Sequence, residues 1–225
     1  MANYFNLILD TTGPANPTIS IDAGATFANN QLVNLSISTS DGDTTGYQML
    51  IWGDVDTSYD SNVQDTEGNS SWISYATSKQ VKLSSGDGSK TIYLKIRDDV
   101  HNVSAQVSDS IILDTTLPIV TISGPDVTKI SKITGKNEAS FSFQCDSTFT
   151  EYKVKVVSSA GAAHDTGVEI GTSNGSQNMS DSGSFAADTP INCIITGADL
   201  ELASAGDGTK IIKVFVKDEA GNWSV

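Results

Sequence analysis

Leu7-Ile8-Leu9-Asp10-Thr11-Thr12 returns as Ile111-Ile112-Leu113-Asp114-Thr115-Thr116, an offset of 104 residues. A second stretch, Gly86-Asp87-Gly88-Ser89-Lys90 with Asp98, Asn102 and Ser104 beyond it, returns as Gly206-Asp207-Gly208-Thr209-Lys210 with Asp218, Asn222 and Ser224. Its offset is 120 residues. A repeat of about a hundred residues describes two like domains rather than one large one. The two offsets also bring Met1 and Val225 to the same point of the repeat, opposite Ala105. The reading is of two units cut open just before one strand. The second unit is expected to lack its last strand, and the N-terminus to carry a spare one.

Apolar and polar residues alternate with period two along both units, and no useful length shows the 3.6-residue period of a helix. Strands are expected at 18–21, 32–38, 46–52, 71–75, 79–83, 91–97 and 107–113 in the first unit. The second unit offers 119–122, 139–145, 151–157, 168–170, 191–196 and 210–217. Tyr47 and Tyr152 are read as equivalent strand positions, 105 residues apart. Turn residues such as Asp41-Gly42-Asp43 and Glu67-Gly68-Asn69 separate the runs. Short strands at this spacing predict an all-β fold of two tandem antiparallel sandwiches. The expected division is an N-terminal exchange strand at 1–12 and domains at 13–116 and 117–225, with Pro118 stiffening the join. The Ser/Gly/Asn-rich stretch 171–187 is expected to be a mobile excursion, and 197–201 one helical turn at most.

Composition excludes several roles. The chain carries 27 acidic and 13 basic residues, a net charge of −14. Nucleic acid and anionic lipid surfaces both attract Lys and Arg, so neither is an expected partner. No apolar run approaches the ~18 residues of a membrane helix. The N-terminal residues show no secretory signal pattern, so synthesis in the cytosol is expected. The two cysteines lie on apolar strand faces, with Phe141 and Phe143 beside Cys145 and with Ile191 and Ile195 beside Cys193. They read as small buried hydrophobes, with a disulfide as the alternative.

A strand ending Leu113-Asp114-Thr115-Thr116-Leu117-Pro118, fed by a turn such as Lys217-Asp218-Glu219-Ala220-Gly221-Asn222, resembles the bacterial immunoglobulin-like repeats. These occur in surface adhesins and in structural proteins of tailed bacteriophages. The first copy keeps Asp98 and Asn102 but has Asp99-Val100-His101 in place of the Ala-Gly form. The resemblance implies two immunoglobulin-like sandwiches and a non-enzymatic accessory protein of the virion, on head, neck or tail. Other virion proteins or copies of the chain itself would be its partners, and no cofactor is implied. An adhesin-like module binding host-surface glycan or protein is the alternative.

Motifs with chemical potential have simpler readings. Gly171-Thr172-Ser173-Asn174-Gly175 fits a nucleophile elbow, but no helix is expected after it, and only His101 and His164 could act as base. The Gly-Asp-Gly-x-Lys turns lack phosphate-loop spacing and precede strands. Asp41, Asp43, Asp54, Asp56 and Asp60 cluster in loops without the EF-hand spacing. No metal site is expected; Asp98, Asp99 and Asp114 are the residues that would furnish one. Trp52, Tyr59, Trp72 and Tyr75 could stack on sugars if exposed.

The N-terminal segment carries the main functional expectation. Tyr4, Phe5, Leu7 and Leu9 make an apolar strand-former with no preceding unit to join. Natural proteins pair or cover such an edge. Three destinations are open: another protein's or another copy's second unit, by strand addition; this chain's own second unit; or the edge of the first domain.

Overall fold

The structure, a computed structural model, describes residues 4–225. It divides into units Met1–Thr115 and Thr116–Val225. The first three residues of the expected exchange strand lie outside the described residues.

The first unit contains β1 (Thr18–Ile21), β2 (Phe27–Ala28), β3 (Leu32–Ser38), β4 (Gln48–Gly53), β5 (Ile73–Ser74), β6 (Ser78–Lys82), β7 (Gly88–Arg97) and β8 (Val107–Leu113). One sheet has the order β1-β3-β6, the other β2-β8-β7-β4-β5. Alternation builds the layer between them, because every second side chain of a strand points to the same face. Val33, Leu35 and Ile37 of β3, Ile92, Leu94 and Ile96 of β7, and Ile111 and Leu113 of β8 are all buried in one cluster.

The second unit contains β9 (Val120–Ser123), β10 (Glu138–Cys145), β11 (Phe149–Val157), β12 (Val168–Glu169), β13 (Ser180–Phe185), β14 (Ile191–Thr196), α1 (Gly197–Ala203) and β15 (Ile211–Asp218). One sheet is β14-β10-β9; in the other, β11 pairs β15 along one edge and both β12 and β13 along the opposite edge. Each unit is an immunoglobulin-like antiparallel sandwich, and the chain is two of them in tandem.

Four local expectations are corrected. The stretch 171–187 holds β13, and Ser176 and Met179 within it are buried, so it is a built part of the sheet rather than an excursion. The helix is seven residues, longer than one turn. Thr196 caps it by accepting from the Asp199 amide, and Gly197 is required because a Cβ there would collide with the Ser131 carbonyl. Tyr152 pairs with Val216 and therefore occupies the place of Met49, which pairs with Ile96, rather than that of Tyr47; past a bulge between Glu151 and Phe149, Phe149 faces Asp218. The two-residue β2, which runs parallel to the end of β8, was not expected at all. Cys145 and Cys193 are both free and buried.

Candidate functional site

The repeated Asp-x-x-x-Asn-x-Ser pattern is structural in both units. Asp98 Oδ1 accepts from the Asn102 amide at 2.7 Å and Oδ2 from the Asn102 side chain at 2.8 Å. Asp218 holds Asn222 in the same way, at 2.8 and 3.0 Å. Ser104 Oγ accepts from the Ile96 amide, and Ser224 Oγ from the Val216 amide, each at 3.0 Å. These bonds satisfy backbone and carboxylate groups that the turn would otherwise bury without partners.

That arrangement removes Asp98, Asp99 and Asp114 as a joint cation site. Asp98 and Asp99 follow one end of β7, while Asp114 follows Leu113, which pairs with Gly88 at the other end. The length of β7 sets them about 30 Å apart. Among the described residues no three His, Cys, Asp or Glu side chains are placed to hold a metal. The other loop carboxylates have local duties: Asp41 accepts from Tyr47, Asp43 from the Thr45 amide, Asp54 from the Thr91 amide, Asp56 from Lys82 and Asp60 from Lys79.

Ser173 is not set against a base. Its Oγ donates to Asp199, which also takes both nitrogens of Asn174 and the Ser176 amide. Burial alone would raise the Asp199 pKa, but the hydrogen bonds from Asn174 and Ser176 outweigh it and hold the carboxyl well below its usual range. His164 lies flat on Trp223 at 4.7 Å. Burial pushes the Cys193 thiol up to about 12, which leaves it protonated and unreactive. Of the aromatic candidates, Trp52 is buried under Tyr93 and Trp72 is covered by Arg97. Tyr75 packs edge-on to Tyr47; Tyr59 is exposed, with its hydroxyl donating to Gln80.

The feature that remains is an open strand position. In the first unit β7 lies between β4 and β8. In the second, β15 pairs along its length with β11, and its other described contact of this kind is the single bridge from Lys217 to Trp223 within its own turn. No strand among the described residues takes the place of β8. Where β8 would lie, an apolar groove of about 680 Å³ opens. Ile122, Val127 and Ile130 line it from the β9–β10 region, Ile212 from β15, and Phe141 and Ile195 from the sheet beneath. In the first unit Ile111 and Leu113 fill the corresponding space, each only 1 % exposed.

The expected interaction residues lie in no strand. Tyr4, Phe5, Leu7 and Leu9 are 79–86 % exposed, so the segment does not cover the edge of the first domain. Residue 10 onward is anchored: Asn102 donates to the Asp10 carbonyl, and Gly13 sits so close to the Val103 carbonyl that a Cβ would collide with it. A groove at the open edge of the second unit is what the repeat offset leads to, but its walls come from residues dispersed between 122 and 212 and were not readable in advance.

No known protein family and no curated protein matches the chain. Among solved structures, fibronectin(III)-like modules of Clostridium thermocellum CbhA are similar at 12 % identity and a TM-score of 0.45. That match covers 92 % of this chain and 90 % of the other. A chitinase from Bacillus thuringiensis is similar at 14 % identity and a TM-score of 0.30, over 92 % of this chain and 30 % of the chitinase.

Proposed function

We propose that this chain is a non-enzymatic structural protein whose sandwiches act as spacers or decorations in a larger assembly, joined to a neighbour by strand addition. The observation that carries this reading is the open side of β15 beside an apolar groove. Strand addition uses two resources at once, main-chain hydrogen bonds and pockets for alternate side chains, and the second unit offers both. The resemblance of Leu113-Asp114-Thr115-Thr116-Leu117-Pro118 and Asp218-Glu219-Ala220-Gly221-Asn222 to immunoglobulin-like repeats suggests the setting, an accessory position on the particle of a tailed bacteriophage. The strongly acidic surface suits a protein partner better than nucleic acid.

Amide hydrogen exchange tests the mechanism. In the assembled state the amides between residues 208 and 217 that do not bond to β11 exchange much more slowly than in the isolated chain. Equal rates in both states sink strand addition. Antibody-gold labelling of purified phage particles tests the setting separately; absence of label removes the virion without touching the mechanism. The adhesin-like alternative draws on one residue, exposed Tyr59, and predicts signal on a glycan array with isolated protein.

A further inference from the structure

We infer that the open position beside β15 is filled by residues 4–9 of a second copy of this chain, running antiparallel to β15 and to residues 208–210 that lead into it, with Leu9 opposite Gly208, Leu7 opposite Lys210 and Phe5 opposite Ile212. This rests on the strand-addition reading above and names its partner.

The register follows from the repeat. In the first unit β7 and β8 pair Gly88 with Leu113, Lys90 with Ile111 and Ile92 with Asp109. An offset of 120 residues carries β7 onto Gly208, Lys210 and Ile212; an offset of 104 carries β8 back onto Leu9, Leu7 and Phe5. The transferred register keeps the faces correct. Ile111 and Leu113 point into the core of the first unit, while Ile112 points out and is 39 % exposed. Phe5, Leu7 and Leu9 would thus enter the groove and Ile8 would face out. Three large apolar side chains meet an apolar groove of about 680 Å³.

A contact in the first unit fits the same alignment. Asp87 Oδ1 accepts from the backbone and the hydroxyl of Thr115, at 3.0 and 2.8 Å, and so clasps the chain just past β8. The same offsets make this pair Asp207 and Thr11, and Asp207 lines the groove. A carboxylate and a threonine are retained at the two places where the clasp needs them.

The connection favours a second copy as donor. Thr11-Thr12-Gly13-Pro14 has the length and form of Thr115-Thr116-Leu117-Pro118, which already leads from a filled last strand into the next unit. Donation between copies repeats, from one chain to the next, the connection the chain makes within itself. The contact is head to tail and heterologous, so it propagates as a filament or closes as a ring.

Thiol trapping tests the inference. In the first unit Thr91 and Ser110 face each other across the strands, with their hydroxyls 2.9 Å apart. Their equivalents are Ile211 and Asn6, so Asn6→Cys and Ile211→Cys place two thiols within disulfide reach. The native cysteines are buried and do not compete. Oxidising a mixture of the two single variants gives a covalent heterodimer that neither gives alone, and the double variant gives a ladder of multimers. In sedimentation, the mass of the unmodified chain rises with concentration. Deletion of residues 1–12 reduces it to one chain, and Leu7→Asp with Leu9→Asp does the same without disturbing a packed core. A synthetic peptide of residues 1–12 then binds the deleted chain.

A double variant that closes a disulfide inside one chain overturns the inference in favour of self-completion. A unit mass at every concentration, without cross-linking, also overturns it. If β15 is nonetheless protected in the native assembly, the donor is another protein and strand addition survives. If β15 is unprotected there as well, both readings fall.

Discussion

The two sandwiches share a plan and differ at one position. In the first, β7 is an interior strand, and β8 beyond it buries Ile111 and Leu113. In the second, β15 is the end of its sheet among the described residues, and the segment that repeats β8 stands near the N-terminus with Leu7 and Leu9 85 % and 86 % exposed. The second core closes by other means. Phe143 meets Tyr152 edge-on at 5.1 Å, and Phe149 stacks on Phe185 of β13 at 4.8 Å. The first core is built from aliphatic residues and Met49. Aromatic pairs add roughly 0.5–1.5 kcal/mol beyond their buried area, and β13 supplies a strand to the edge of β11 that faces away from β15. The comparison teaches that the two cores draw on different partners: one packs Ile111 and Leu113 of β8, while the described residues of the other pack aromatic side chains of β10, β11 and β13.

The most forceful way to break the comparison is to truncate the same position in both copies. Leu113→Ala empties a fully packed site and should cost about 2–5 kcal/mol. Leu9→Ala alters an exposed side chain and should change stability by less than about 0.5 kcal/mol in dilute solution. Urea unfolding followed by tryptophan fluorescence reads both variants, since Trp52 and Trp72 belong to the first unit and Trp223 to the second. Equal losses in the two variants would mean that residue 9 is already packed in the free chain, and the contrast between the units would be gone.

A second difference is private to the second unit. Asp199 gathers the loop 173–176 and the hydroxyl of the α1 cap residue Thr196 on one buried carboxylate. Asp199→Ala strands several of these donors and should cost about 1–3 kcal/mol, confined to the second unit. Because the folded carboxyl titrates below its unfolded value, its contribution is complete above the ordinary aspartate range near pH 4. It is lost as the pH falls through the folded value. The gap between wild type and Asp199→Ala should therefore be widest at neutral pH and shrink in acid. A gap that stays constant down to pH 2 would contradict the assigned role.

How far the sequence revealed all this depends on what each element uses as its signal. Strands with an apolar inner face, such as β3 with Val33, Leu35 and Ile37, are legible because alternation is the physical requirement of a half-buried strand. β13 carries Ser180-Asp181-Ser182-Gly183-Ser184 before Phe185, almost wholly exposed, and shows no such alternation. It exists because β11 offers an edge, which is a property of the fold and not of the segment. Tyr152 stands in Met49's place, opposite Val216, and the bulge between Phe149 and Glu151 brings Phe149 opposite Asp218; neither tyrosine announces this. The candidate site was half legible. The repeat offset exposed a donor and a deficit, whereas the groove walls at Ile122, Val127 and Ile212 meet only after folding.

Where the units agree, substitutions should agree too. Ser104→Ala and Ser224→Ala each remove the hydroxyl that receives a β-strand amide, from Ile96 and Val216 respectively. Each should cost about 1 kcal/mol, and the two losses should match. A much larger loss for Ser224 would show that the second unit leans harder on this turn than the first.

The smallest effect separates the units again. Asp87→Ala frees Thr115 from its clasp and should cost the first unit about 0.5–1.5 kcal/mol. Asp207→Ala should leave the dilute chain as stable as wild type, because its expected partner, Thr11, belongs to the donor. The cost then appears as weaker association: the peptide of residues 1–12 should bind the deleted chain carrying Asp207→Ala about fivefold less tightly, the equivalent of about 1 kcal/mol. Titration of the peptide against deleted chains with and without the substitution reads this directly. Unchanged affinity would place the donor in another register, since a shift of one residue along β15 moves Thr11 away from Asp207 and turns Leu7 and Leu9 out of the groove.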